Sequence, residues 1–152
     1  MAKPRLQKIL ISRTDAIGDV SLTLPVCVAL KQQFPGIKLV YLCRSYTSAV
    51  VACFEPIDDI LVYEELELLP SEERLQKLQG FTAVLHLFPN KTVAAWCKDA
   101  RIPLRVGTAH RLHHWWTCNL LPFFSRKRSD LHEAQLNFYL AKAIGYPNIP
   151  NW

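Results

Sequence analysis

Short, nearly all-apolar runs recur along this chain, each followed by a stretch long enough for a helix. The first, Lys8 to Ser12, reads as a strand buried on both faces. Lys38 to Leu42, Asp59 to Tyr63, Ala83 to Leu87 and Leu104 to Val106 read as four more. Between the first two, Val20 to Phe34 suits a helix of about four turns. Pro25 lies inside it and forces either a kink or a start near Leu24 with the proline at the first position. Pro35-Gly36 ends that helix. Further helices are expected over Thr47 to Phe54, from a Ser71 cap to Gln79-Gly80, and over Lys91 to Ala100. The last runs from Leu131 to Ile144, capped by Asp130 and stopped by Gly145 and Pro147. Such alternation predicts an α/β fold: a Rossmann-like three-layer α/β/α sandwich with a mostly parallel sheet in the order 3-2-1-4-5. Ligands of such sheets gather beyond the carboxyl ends of the strands, where the order reverses. Here that point falls between the first and fourth strands, at loops 13–19 and 87–91.

The 152 residues suit one domain with a sizeable core. Half are hydrophobic and 20% are charged, a balance that excludes a disordered chain. No apolar run approaches the roughly 20 residues that span a bilayer. The basic lead before Lys8 is followed by an apolar run too short for a signal-peptide core, so a cytoplasmic location is expected. Cys27, Cys43, Cys53, Cys97 and Cys118 form neither a C-x-x-C pair nor a zinc spacing. They are expected to be reduced and mostly buried, Cys27 and Cys53 on the strength of their apolar neighbours, and no metal site is expected.

The net charge of +5 is concentrated. Residues 101–128 hold Arg101, Arg105, Arg111, Arg126, Lys127 and Arg128, together with His110, His113 and His114, and no acid. Trp115, Trp116, Phe123 and Phe124 lie in the same stretch, which reads as an aromatic, basic excursion from the sheet. It is either a solvated basic surface or a face for phosphates on a nucleotide, a nucleic acid or an anionic lipid. It matches no common nucleic-acid motif, so a nucleic-acid partner is not expected, although a non-catalytic basic module binding nucleic acid or anionic lipid stands as the alternative function.

The loop after the first strand, Arg13 to Asp19, is poor in glycine. It carries neither the G-x-G-x-x-G of a dinucleotide site nor the G-x-x-x-x-G-K of a phosphate loop. What remains is a carboxylate, Asp19, beside Gly18, which permits close backbone approach. A carboxylate there can take the proton of a hydroxyl as that hydroxyl attacks an electrophile. The competing reading makes Asp19 a helix cap.

The run Ile9 to Pro25, I-L-I-S-R-T-D-A-I-G-D-V-S-L-T-L-P, resembles the opening of the ADP-heptose:lipopolysaccharide heptosyltransferases, glycosyltransferase family 9, in the order and spacing of Gly18, Asp19, Thr23 and Pro25. The stretch from Ala83 to Gly107, the pair His132-Glu133 and the close Ala143-Ile144-Gly145 are also similar. The resemblance implies one half of a GT-B enzyme. Residues 1–150 would be the N-terminal acceptor-binding domain, with the C-terminal domain that binds the ADP-heptose donor absent from this chain. It further implies an inverting transfer to a lipid A–Kdo acceptor at the inner face of the inner membrane, with no metal or other cofactor, and Asp19 as general base. Thr14, Asp15 and Gly18 line the same loop as substrate-binding candidates. Arg44 and Ser45 follow the second strand, Asn90 and Lys91 follow the fourth, and Arg111 lies in the basic excursion. Plainer roles are open to each: turn bonds for Thr14 and Asp15, a surface position for Arg44, a helix cap for Asn90. His86 is expected to be a satisfied core histidine, and the tryptophan pair is either buried or set at a membrane headgroup level.

Overall fold

The central strand, β1 (Lys8–Ser12), is buried from Ile9 onward because it is paired on both edges and covered on both faces. It runs parallel to β2 (Lys38–Cys43), with Lys8 opposite Lys38 and Ser12 opposite Leu42. On its other edge it runs parallel to β4 (Ala83–His86), with Ile9 opposite Ala83 and Ser12 opposite His86. β3 (Asp59–Val62) and β5 (Leu104–Val106) complete a five-stranded sheet in the order 3-2-1-4-5, every pair parallel. The computed structural model describes residues 5–124 and 130–151.

Alternate residues of the strands feed two cores. Ile9, Ile11, Leu39, Tyr41 and Leu85 meet α2 (Leu24–Gln33) and α9 (Phe138–Ala143) through Val26, Leu30, Phe138 and Leu140. Leu10, Val40, Leu42 and Val84 face the other way. They pack on α4 (Tyr63–Leu68), α5 (Ser71–Leu78) and α6 (Lys91–Asp99) through Leu66, Leu78, Val93 and Cys97. The two layers of helix make the expected three-layer sandwich.

Several elements depart from expectation in detail. The helix expected over Val20 to Phe34 is two: α1 (Ile17–Ser21), then a break at Leu22-Thr23, then α2 with Pro25 as its second residue. Proline has no N–H to give at that point and so marks a start. The helix expected at Thr47 is a 3-10 turn, Ser45–Thr47, running into the short α3 (Ser48–Val51). Ser71 is already helical, with Pro70 at the cap position, and Asp130 does not cap the last helix. The one helix expected over Leu131 to Ile144 is two, α8 (Glu133–Leu136) and α9, and His132 caps the first through a reciprocal box with Gln135. The excursion holds one short helix, α7 (His114–Thr117), and touches the sheet edge again where Leu120 bridges to Val106. All five cysteines are free, and Cys53 is exposed rather than buried. Among the described residues, no helix is long and apolar enough to cross a membrane.

Candidate functional site

The site is built at the carboxyl end of β1, where the chain leaves the sheet between β2 and β4. Arg13 continues the sheet for one more bond, its backbone N–H donating to the Leu42 carbonyl at 3.0 Å. Its side chain turns inward and is only 2% exposed. A buried guanidinium demands partners, and the fold supplies them. Nε and Nη2 donate to the two carboxylate oxygens of Asp15 at 2.9 and 3.1 Å. Nη1 donates to Asn137 Oδ1 at 3.3 Å. Asp19 and Glu133 bring further carboxylate oxygens to 3.6 and 3.7 Å of Nη2. One arginine therefore ties the β1 loop and α1 to α8 and Asn137. Burial outweighs the guanidinium at Asp15 and leaves its carboxyl above the usual carboxylate range.

Asp19 does not cap α1. It is the third residue of that helix, Ala16 holds the cap position, and no side-chain cap bond is made. Its side chain is 44% exposed, so the carboxylate reaches solvent while one oxygen faces Arg13. Gly18 precedes it, and a Cβ built there would meet no atom within 4 Å. The glycine is thus not demanded by packing within the chain, and its backbone is open to approach.

Side chains from both neighbouring strands hold the 13–16 loop. Asn90, at the end of β4, caps α6 by accepting from the Val93 N–H and donates through Nδ2 to Thr14 Oγ1 at 2.9 Å. Arg44, at the end of β2, donates through Nε to the Thr14 carbonyl at 3.2 Å. Its guanidinium also lies over the Tyr63 ring and pairs with Glu64 at 3.6 Å. Tyr46 donates its hydroxyl to the Asp15 carbonyl at 2.8 Å. Ser45 donates its backbone N–H to Glu64. The structure thus joins Thr14, Asp15, Arg44 and Asn90 in one hydrogen-bonded corner, with Gly18 and Asp19 one helical turn away. Lys91 and Arg111 belong to a second, cationic corner. Burial lowers the pKa of His113, and the positive charges of Arg111 and Lys91 lower it further.

Behind that corner lies a buried histidine pair. His86 ends β4 and is 1% exposed, but neither of its ring nitrogens has a hydrogen-bond partner, so it is buried without being satisfied. It stacks on His114, with centroids 5.7 Å apart. The neighbouring Ser12 Oγ and His114 Nε2 also lack partners. Burial pushes His86 down to about 3 and His114 to about 4, and only cations or other histidines lie near enough to add to the effect. Gly107 allows this packing, because a Cβ there would sit 2.5 Å from His114 Nδ1.

The excursion also settles how its aromatics are placed. Trp115 and Trp116 are 61% and 57% exposed, and Leu112 and Phe123 are exposed with them. Arg126, Lys127 and Arg128 lie outside the described residues. Among the described residues, no group of three His, Cys, Asp or Glu side chains is placed to hold a metal ion. Sequence reasoning missed Arg13 as the centre of the site; the signal was an arginine directly after an all-buried strand, with acids two and six residues on.

Solved structures share this architecture. The glycosyl transferase family 9 protein from Veillonella parvula DSM 2008 superposes with a TM-score of 0.75 at 18% identity, covering 98% of this chain and 44% of that one. The chain has the fold of one half of a GT-B glycosyltransferase. The E. coli heptosyltransferase WaaC with ADP gives 0.74 at 19% identity, covering 96% of this chain and 49% of its own. E. coli ADP-heptose lps heptosyltransferase II gives 0.70 at 14% identity over 95% and 42%. The chain spans about half the length of these structures. No protein-family model and no curated protein sequence matches it.

Proposed function

We propose that this chain is the acceptor-binding half of an inverting glycosyltransferase that moves heptose from ADP-heptose to a lipid A–Kdo acceptor, with Asp19 as the general base. The acceptor hydroxyl attacks the anomeric carbon of the donor sugar. The bond from that carbon to the ADP oxygen breaks, ADP leaves with the electron pair, and the hydroxyl proton passes to Asp19. A single displacement inverts the anomeric centre. The donor nucleotide is held by a partner domain, as the fold likeness to two-domain heptosyltransferases suggests.

The observation that carries this reading is the state of Asp19. It serves no cap, reaches solvent at the carboxyl end of β1, and adjoins the open backbone of Gly18. Arg13 fixes the carboxylate from behind without enclosing it. Thr14 and Asp15 shape the floor of the same corner, Arg44 and Asn90 hold it through Thr14, and Ser45 bonds the Glu64 that pairs with Arg44. Lys91 and Arg111 supply positive charge for an anionic acceptor.

Leu112, Trp115, Trp116 and Phe123, exposed beside Arg111, fit contact with the anionic inner face of the inner membrane, where such an acceptor resides. The test is to supply the protein, joined to its donor-binding half, with ADP-heptose and a lipid A–Kdo acceptor. A heptosylated product with inverted anomeric configuration is expected. Retention of configuration, or no transfer to that acceptor, overturns the proposal.

A further inference from the structure

The geometry points to Tyr46 as an aromatic platform that takes the face of the acceptor pyranose beside the loop that leads to Asp19. This deepens the acceptor-binding reading and rests on it. Tyr46 is 62% exposed, so its ring is not spent on the core. Yet Tyr46 is not loose. Its hydroxyl donates to the Asp15 carbonyl at 2.8 Å, four residues before Asp19, while Arg44 grips the carbonyl of Thr14. The 3-10 turn Ser45–Thr47 is itself braced by Thr47 Oγ1 donating to the Arg44 carbonyl and by Ser48 Oγ donating to that of Ser45.

The result is a largely exposed aromatic ring tethered at its polar tip to the loop that leads to the carboxylate. Holding a ring in place before a ligand arrives removes part of the ordering cost of binding. A pyranose presents hydroxyls at its rim and polarised C–H bonds on its face. The electron-rich face of a tyrosine attracts such C–H bonds, and the exposed carboxylate of Asp19 is left to the hydroxyls. Tyr46 thus places a sugar face on the same loop that carries Asp19, whose carboxylate is open to a rim hydroxyl.

Three variants separate this role from that of a mere loop tether. The probe is a lipid-free Kdo disaccharide, titrated calorimetrically and followed by saturation transfer to its ring protons. Tyr46→Ala removes ring and tether and is expected to weaken binding about tenfold. Tyr46→Phe removes the tether alone and is expected to keep affinity within about threefold of the unaltered protein. Asp19→Asn, measured alongside in the transfer assay with the donor half joined, reads the base assignment separately from the platform. Equal affinity in Tyr46→Ala overturns the platform, as does an equal loss in Tyr46→Phe, and as does failure of the unaltered protein to bind the disaccharide. Should Asp19→Asn still transfer sugar while Tyr46→Ala loses the disaccharide, the base assignment fails and the platform stands.

Discussion

Acidification from pH 7 to pH 5 should cost this domain about 4 kcal/mol of stability, and the histidine pair is the reason. His86 and His114 are fully buried, and burial holds them at about 3 and about 4. In the unfolded chain each titrates near ~6.5. The sign follows from linkage: between about 6.5 and the folded-state value the unfolded chain binds a proton that the folded chain refuses. Stability is therefore whole above about pH 6.5 and falls as the pH drops toward 4 and 3. At pH 5 an unfolded histidine is about 97% protonated, and integrating from pH 7 gives a loss of about 1.9 kcal/mol for each ring. The sum is nearly the same for any folded-state value of 4 or below, since the folded rings stay neutral throughout the window. His113, less buried, adds in the same direction. The lowered carboxylates Asp58 and Glu64 give up their contributions only at more acid pH, below their ordinary range. Asp15, whose pKa is raised, opposes the loss, because the folded state takes up its proton first. Urea unfolding followed by far-UV circular dichroism at pH 7, 6 and 5 measures the effect. His86→Phe keeps an aromatic ring in the stack and removes one titrating group, so it should lose about 2 kcal/mol less than the unaltered protein over the same interval. If both proteins lose the same amount, His86 is not buried in neutral form and the reasoning is wrong.

Other substitutions test the site residue by residue. Gly18→Ala adds a methyl group that meets nothing and replaces a poor helix former, so thermal unfolding should show a gain of up to about 1 kcal/mol while acceptor turnover falls. Arg13→Met leaves the Asp15 carboxylate without its guanidinium and should cost about 3–5 kcal/mol in chemical denaturation. Asn90→Ala should cost about 1 kcal/mol as a lost cap, with faster amide exchange in the Thr14 loop. Gly107→Ala drives a methyl into His114 and should destabilise the fold and perturb the His114 ring signals by NMR.

The sheet was legible in the sequence because parallel strands covered on both faces leave short, nearly all-apolar runs, as in Ile9-Leu10-Ile11 of β1 and Leu39-Val40-Tyr41-Leu42 of β2. The order of strands followed from the doubly wound arrangement that alternating strands and helices adopt. Asp19 was visible as the acid beside the one glycine of a glycine-poor turn, but its environment was not. Whether it capped α1 depended on where the helix began, and that was fixed by Ala16 and by the break ahead of Pro25 rather than by Asp19 itself. The hub at Arg13 was hidden for a different reason: its partners Glu133 and Asn137 are over a hundred residues away, and no local pattern encodes that meeting. The unsatisfied state of His86 was equally out of reach, since it depends on α7 folding back from the excursion to stack His114 over the end of β4.

The most direct measurement is the single-turnover rate of sugar transfer by the Asp19→Asn protein, joined to its donor half and saturated with both substrates. A carboxylate that takes the acceptor proton contributes about 10²–10⁴-fold, so the rate should fall at least about a hundredfold with the fold and acceptor affinity retained. A variant that keeps more than about a tenth of the rate would show that the proton leaves by another route, and that Asp19 is not the base.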